Sequence, residues 1–183
     1  MSVDVLVYLR DDRLPTRSEW QAAIDKADLK LILDEFSSRD HTGFLPCRLN
    51  GGECGFEYYF GPLEEQDEDL EELQSQIGDR DRAVTMVLHG GHMEDLNAAM
   101  CAAAVLTELG DGVFHDPQSG EFATGRGVFD LIRRNEEAER ERGRRAAEKD
   151  ARITDQRCLH CGAPCPSYRK TCKACGRAVA EKS

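Results

Sequence analysis

Four of the eight cysteines stand as two pairs with the same internal step, Cys158-x-x-Cys161 and Cys172-x-x-Cys175, separated by ten residues. A two-residue step lets each pair fold back on itself, so that four soft thiolates converge on one tetrahedral ion at about 2.3 Å. The expected cofactor is Zn²⁺; iron is the alternative that four sulfurs also admit. A segment this short has too little apolar surface to build a core, so the metal must supply its folding free energy. Cys165 and His160 lie close enough to compete as ligands, and Cys165 is the better substitute. His160 lies inside the first loop, where its ring would have to fold back, and is expected on the surface.

Other residues in the chain invite chemistry more weakly. His89-Gly-Gly-His92, followed by Glu94 and Asp95, closes a predicted strand and opens a predicted helix, where backbone amides favour anions. Such a site could serve a hydrolase or transferase. Carboxylates in a first helical turn also complement the helix dipole, and a tight turn needs its glycines, so the same residues have a purely structural reading. Cys47 and Cys54 face each other if Asn50-Gly51 is a two-residue turn, at a Cα separation of about 5.5 Å that permits a disulfide. Two small thiols on a sheet face are the plainer expectation, and Cys101, amid alanines, reads as packing. Gly125-Arg126-Gly127 is too short for a phosphate-binding fingerprint and reads as a loop.

The elements that must position these groups can be read from periodicity. Val3, Val5, Val7 and Leu9 alternate with Asp4, Leu6, Tyr8 and Arg10, a strand with one strongly apolar face. Thr16 and Glu19 make a capping box for a helix whose Trp20, Ala23, Ile24 and Ala27 share one face. A strand over 29–36 follows, then a hairpin of 44–49 with 55–60, the Asn-Gly turn tolerating positive φ at both positions. Beyond an acidic connector come a strand over 83–88, an alanine-rich helix over 94–109 stopped by Gly110, and a second hairpin of 112–115 with 121–124. The order predicts an α+β domain, 1–132, with a mainly antiparallel sheet and two helices on one face; a ferredoxin-like split βαβ with an added hairpin is the favoured topology. A last helix starts near Val128. From Arg133 to Arg157 its only apolar residues are alanines and Ile153, so 133–157 is expected to be a charged helical linker, with 158–183 as the metal module.

The net charge of −11 is unevenly spread. Residues 1–132 hold 27 acids against 10 Lys/Arg, a net −17, whereas 133–157 carry +2 and 158–183 carry +4. Seven of the nine residues from Glu64 to Glu72 are acidic: Glu64, Glu65, Asp67, Glu68, Asp69, Glu71 and Glu72. Dense charge of this kind is a solvated helix or mobile connector, or else a docking surface for a basic partner. An acidic body repels phosphate backbones, so nucleic acid, if bound, is met by the basic tail. The longest apolar run, Ala98–Leu106, is nine residues, about half of what a bilayer crossing needs. With no basic leader in 1–10, the expectation is a soluble, reduced, cytoplasmic protein without a membrane partner.

The run from Cys158-Leu-His-Cys-Gly-Ala through Lys173-Ala-Cys-Gly-Arg resembles the short four-cysteine zinc ribbons appended to many bacterial proteins, over about residues 158–177. In type, though in no motif, the small, strongly acidic body resembles bacterial immunity proteins, which plug the active site of a cognate toxin. That resemblance implies a non-enzymatic, antitoxin-like inhibitor of a basic protein. The second expectation is a nucleic-acid or ribosome-associated adaptor using Arg169, Lys170, Lys173 and Arg177, although Tyr168 is the lone aromatic available for stacking on bases. The third is an enzyme centred on His89 and His92.

Overall fold

The computed structural model describes residues 2–63, 70–90, 92–154, 158, 160–163 and 171–177, and the chain divides into two compact units, Met1–Ile132 and Arg133–Ser183. In chain order the elements are β1 (Ser2–Leu9), α1 (Arg17–Lys26), β2 (Leu31–Leu33), β3 (Gly43–Leu49), β4 (Gly52–Pro62), α2 (Leu70–Ile77), β5 (Arg82–His89), α3 (Met93–Leu109), β6 (Val113–Asp116), β7 (Glu121–Thr124) and α4 (Gly127–Thr154). A single 3₁₀ turn, Asp11–Arg13, follows β1.

The first unit is α+β, with seven strands in one antiparallel sheet of order β2-β3-β4-β5-β1-β6-β7. Because every neighbouring pair is antiparallel, β1 and β2 run the same way with three strands between them. The sheet is thus larger than a four-stranded split βαβ. Register sorts the side chains cleanly. Val5 pairs with Met86, and Val7 pairs with Val84 and Phe114, so these odd residues of β1 share one face. They meet Trp20 and Ile24 of α1 and the buried alanines of α3 in the main core. Trp20 is fully buried, and its ring N–H donates to the Ala102 carbonyl at 3.1 Å, so the indole leaves no polar atom unpaired.

Two helices on one face was the expectation; α2 is a further helix and serves the opposite face. Tyr8, Ile77 and Val113 form a second, smaller core there, with Leu6, Leu63 and Leu73 packed against it. Leu6 and Tyr8, read as the weaker side of β1, therefore also lie against apolar neighbours. Tyr8 adds its hydroxyl to His115, whose ring stacks on Phe122 with centroids 4.0 Å apart.

Local chemistry sets the boundaries. The Thr16–Glu19 capping box forms as expected, Thr16 N–H donating to Glu19 at 2.8 Å. Asn50 and Gly51 both adopt positive φ, +53° and +84°, as the tight turn between β3 and β4 demands. β2 is shorter than the 29–36 run because Asp34 N–H donates to the Pro46 carbonyl, after which Pro46 has no N–H to return. At the end of α3 the left-handed residue is Asp111, φ +51°, and not Gly110, whose φ is −85°. Gly110 is there for space: a Cβ would sit 3.1 Å from the Leu106 carbonyl and 3.3 Å from that of Arg13.

In the second unit α4 continues to Thr154, held locally by pairs such as Glu141–Arg145 at 3.0 Å and Glu141–Arg144 at 2.9 Å. Each such pair contributes a few tenths of a kcal/mol. No helix among the described residues is long and apolar enough to cross a membrane.

Candidate metal centre

The two cysteine pairs are built alike. Cys158 N–H donates to the Ala163 carbonyl at 2.8 Å, and Gly162 N–H returns to the Cys158 carbonyl at 2.8 Å. In the second loop Cys172 N–H donates to the Arg177 carbonyl at 2.9 Å, and Gly176 N–H to the Cys172 carbonyl at 2.8 Å. Gly162 and Gly176 take φ +69° and +70°. A side chain at either would be strained in that left-handed turn, which explains the glycine after each second cysteine.

These turns bring the sulfurs of Cys158, Cys161, Cys172 and Cys175 within 4.8 Å of one another. The contacts between loops, Cys158 to Cys175 and Cys161 to Cys172, are both 3.7 Å. A regular tetrahedron with metal–sulfur bonds of about 2.3 Å has sulfur–sulfur edges of about 3.8 Å. The set therefore fits a tetrahedral thiolate metal ion, and it is compatible with zinc. Cys158 and Cys172 are buried, Cys175 is half-buried and Cys161 is exposed.

Backbone amides favour the charged form at Cys158 and Cys172. The N–H groups of His160 and Cys161 lower the Cys158 thiol, with His160 N to Sγ at 3.4 Å. Those of Cys175 and Ala174 bring Cys172 down to about 6. Cys161 gains from the Ala163 N–H, yet partial desolvation and the neighbouring sulfurs push it up to about 12. Four thiolates together repel one another, and a divalent cation removes that repulsion.

His160 is exposed and lies outside the sulfur set, its ring nitrogen 3.5 Å from Arg177. Cys165, Tyr168, Arg169 and Lys170 lie outside the described residues. So do Glu64, Glu65, Asp67, Glu68 and Asp69; Glu71 and Glu72 fall in the first turn of α2, their side chains outside the description.

His89 ends β5 with Nε2 3.3 Å from Glu57, and His92 is the exposed N-cap residue of α3 without a side-chain cap. Glu57 also accepts from the Tyr59 hydroxyl at 2.6 Å. That hydrogen bond, with His89 adding to it, holds the Glu57 carboxyl below its usual range. Residue types alone gave no sign of the Glu57 contact, because it depends on the β4–β5 register that sets Glu57 opposite Val87. Cys101 packs half-buried against the main core, as its alanine surroundings suggested.

No protein-family model, curated protein or solved structure matches the chain.

Proposed function

We propose that this chain is a non-enzymatic binding protein whose acidic first unit engages a basic protein, in the manner of an immunity or antitoxin-type inhibitor, while a zinc ribbon forms its tail. The observation that carries the reading is where the cations go. Of the ten Lys/Arg in 1–132, seven are tied to acids among the described residues of the same unit: Arg10, Arg17, Lys30, Arg39, Arg80, Arg82 and Arg126. The 27 acids exceed what those cations can neutralise, so the unit offers a surplus of negative charge. Such a field speeds encounter with a cationic surface and sets specificity more than affinity.

On this reading the ribbon ligands are Cys158, Cys161, Cys172 and Cys175, the ion is Zn²⁺, the compartment is the reducing cytoplasm, and the sheet is a ferredoxin-like frame widened by hairpins. The test is affinity capture from source-cell lysate with the tagged full chain. A cationic protein should be retained at low salt and released as salt rises. It should be lost when Glu64, Glu65, Asp67, Glu68, Asp69, Glu71 and Glu72 are replaced by their amides. Retention of no cationic protein, or unchanged retention by the neutralised chain, would falsify the proposal.

A second reading, nucleic-acid binding by the tail, is favoured by Lys173 and Arg177, both exposed on the second cysteine loop. It requires binding to RNA or DNA that falls steeply with salt. An enzyme centred on His89 and His92 requires activity that disappears on replacing either histidine while the fold persists.

A further inference from the structure

Cys47 and Cys54 lie directly opposite each other on β3 and β4, both unbonded, with their sulfurs 3.4 Å apart. Their surroundings differ. Cys47 is 2% exposed within the main core, whereas Cys54 is half-buried at its edge. Both line a cleft of about 440 Å³ together with Asp34, Arg48, Glu53 and Asp95. Three carboxylates against one guanidinium make this cleft unwelcoming to an anionic oxidant such as glutathione disulfide, and leave it open to a small neutral one.

We propose that Cys47 and Cys54 form a reversible redox pair, in which hydrogen peroxide oxidises Cys54 and Cys47 resolves the product as a disulfide. The Cys54 thiolate attacks one peroxide oxygen and the O–O bond breaks. Cys54 becomes a sulfenic acid, and the departing hydroxide takes up a proton to leave as water. The Cys47 sulfur then attacks the Cys54 sulfur, the S–O bond breaks, and a second water departs with the Cys47 proton. Two thiols and one peroxide thus give one disulfide and two waters. A disulfide needs sulfurs about 2.05 Å apart, so the pair must close by a little over 1 Å, within reach of side-chain rotation on a fixed hairpin. Burial, with the neighbouring Cys54 thiol, pushes the Cys47 thiol up. That makes Cys47 the poorer first nucleophile, since attack on peroxide requires the thiolate; in the resolving step its proton passes to the departing hydroxide. An external dithiol returns both residues to thiols by exchange.

Trypsin provides a direct assay, because cleavage after Arg39 and Arg48 places Cys47 and Cys54 in different peptides. The full-length chain, loaded with zinc, is treated with hydrogen peroxide, alkylated, digested and analysed by mass. The expected product is the 40–48 peptide joined to the peptide beginning at Leu49, two hydrogen masses below their sum, and lost after dithiothreitol. In Cys47→Ser, Cys54 should gain two or three oxygens, having no resolving partner. In Cys54→Ser, Cys47 should stay a free thiol. Three results would each overturn the proposal: both cysteines recovered as thiols when peroxide has oxidised free cysteine in the same tube, Cys54 joined only to a cysteine of the tail, or Cys47 oxidised first in Cys54→Ser.

Discussion

The two units solve the folding problem by opposite means. The first has a sheet wide enough to bury side chains on both faces: Trp20, Phe56 and Tyr58 on one, Tyr8 and Ile77 on the other. The tail's described residues offer a cluster of only Cys158 and Cys172, with Ala163 and Cys175 against it. Its order is local, in two repeated backbone turns that place four sulfurs where they could hold a metal ion. A unit with a core spreads its stability over many contacts and tolerates the loss of any one. A metal-clamped loop concentrates it in four atoms.

The sharpest way to break that contrast is to withdraw the ion. For structural zinc the apparent binding free energy is about 10–16 kcal/mol near neutral pH, far more than any single side chain contributes. Chelation, or Cys172→Ser, should take zinc from one per chain to none and abolish amide protection at Cys158, Gly162, Cys172 and Gly176. Thermal unfolding followed by Trp20 fluorescence reports the first unit. It should be unmoved, and a shift in that transition would mean that the two units are energetically coupled.

The reciprocal experiment truncates the core. Leu106 is fully buried in α3, and Leu106→Ala should cost about 2–5 kcal/mol through lost transfer energy and the cavity left behind. Zinc content should remain one per chain. Next in size is a pair of glycine substitutions. At Gly112 a Cβ would lie 2.8 Å from the Tyr8 carbonyl and 3.0 Å from Val7, inside a packed sheet. Gly112→Ala should therefore destabilise by about 1–3 kcal/mol. At Gly143, inside α4, a Cβ would meet nothing within 4 Å. Gly143→Ala should instead raise helicity, stabilising by up to about 1 kcal/mol. Urea midpoints for the first variant and far-ultraviolet dichroism for the second would check the opposite signs.

What could be read from residues alone follows the range of the forces involved. The cysteine step, the Thr16–Glu19 cap, the Asn50-Gly51 turn and the alternation along β1 are local, and each is visible within a few positions. The ladder limit at Pro46 is equally local, yet it lies on the partner strand, and nothing within 29–36 marks it. α2 is the instructive case, since a helix in the acidic run is expected there only as a solvated one. Leu70, Leu73 and Ile77 stand at i, i+3 and i+7, a helical spacing hidden among acids, and Leu6 with Tyr8 already hinted that the second sheet face needed a cover. Placement of Glu57 beside His89, and of the Cys47 sulfur beside that of Cys54, depends on register between strands. Composition carries no record of register; only the turn between β3 and β4 fixed it in advance.

The smallest expected effect lies in the first unit's charges, and it tests whether they matter to its folding at all. Asp11 receives Arg39 at 2.9 Å and Arg82 at 3.0 Å, while Asp81 accepts the Asp11 backbone N–H at 3.0 Å. The Arg39 hydrogen bond, aided by the charges of Arg39 and Arg82, holds the Asp11 carboxyl below its ordinary value of 3.8. Folding therefore favours the ionised form. The stabilisation is fully present at pH above that ordinary value and fades as pH falls through the lower folded-state value. Asp11→Asn should lower the melting temperature slightly at neutral pH, and the gap from the parent chain should close on acidification below about pH 4. Raising ionic strength at neutral pH should narrow the same gap, because the group is exposed and its partners are screened. A gap indifferent to both pH and salt would show that Asp11 acts through its place at the head of the 3₁₀ turn and not through its charge.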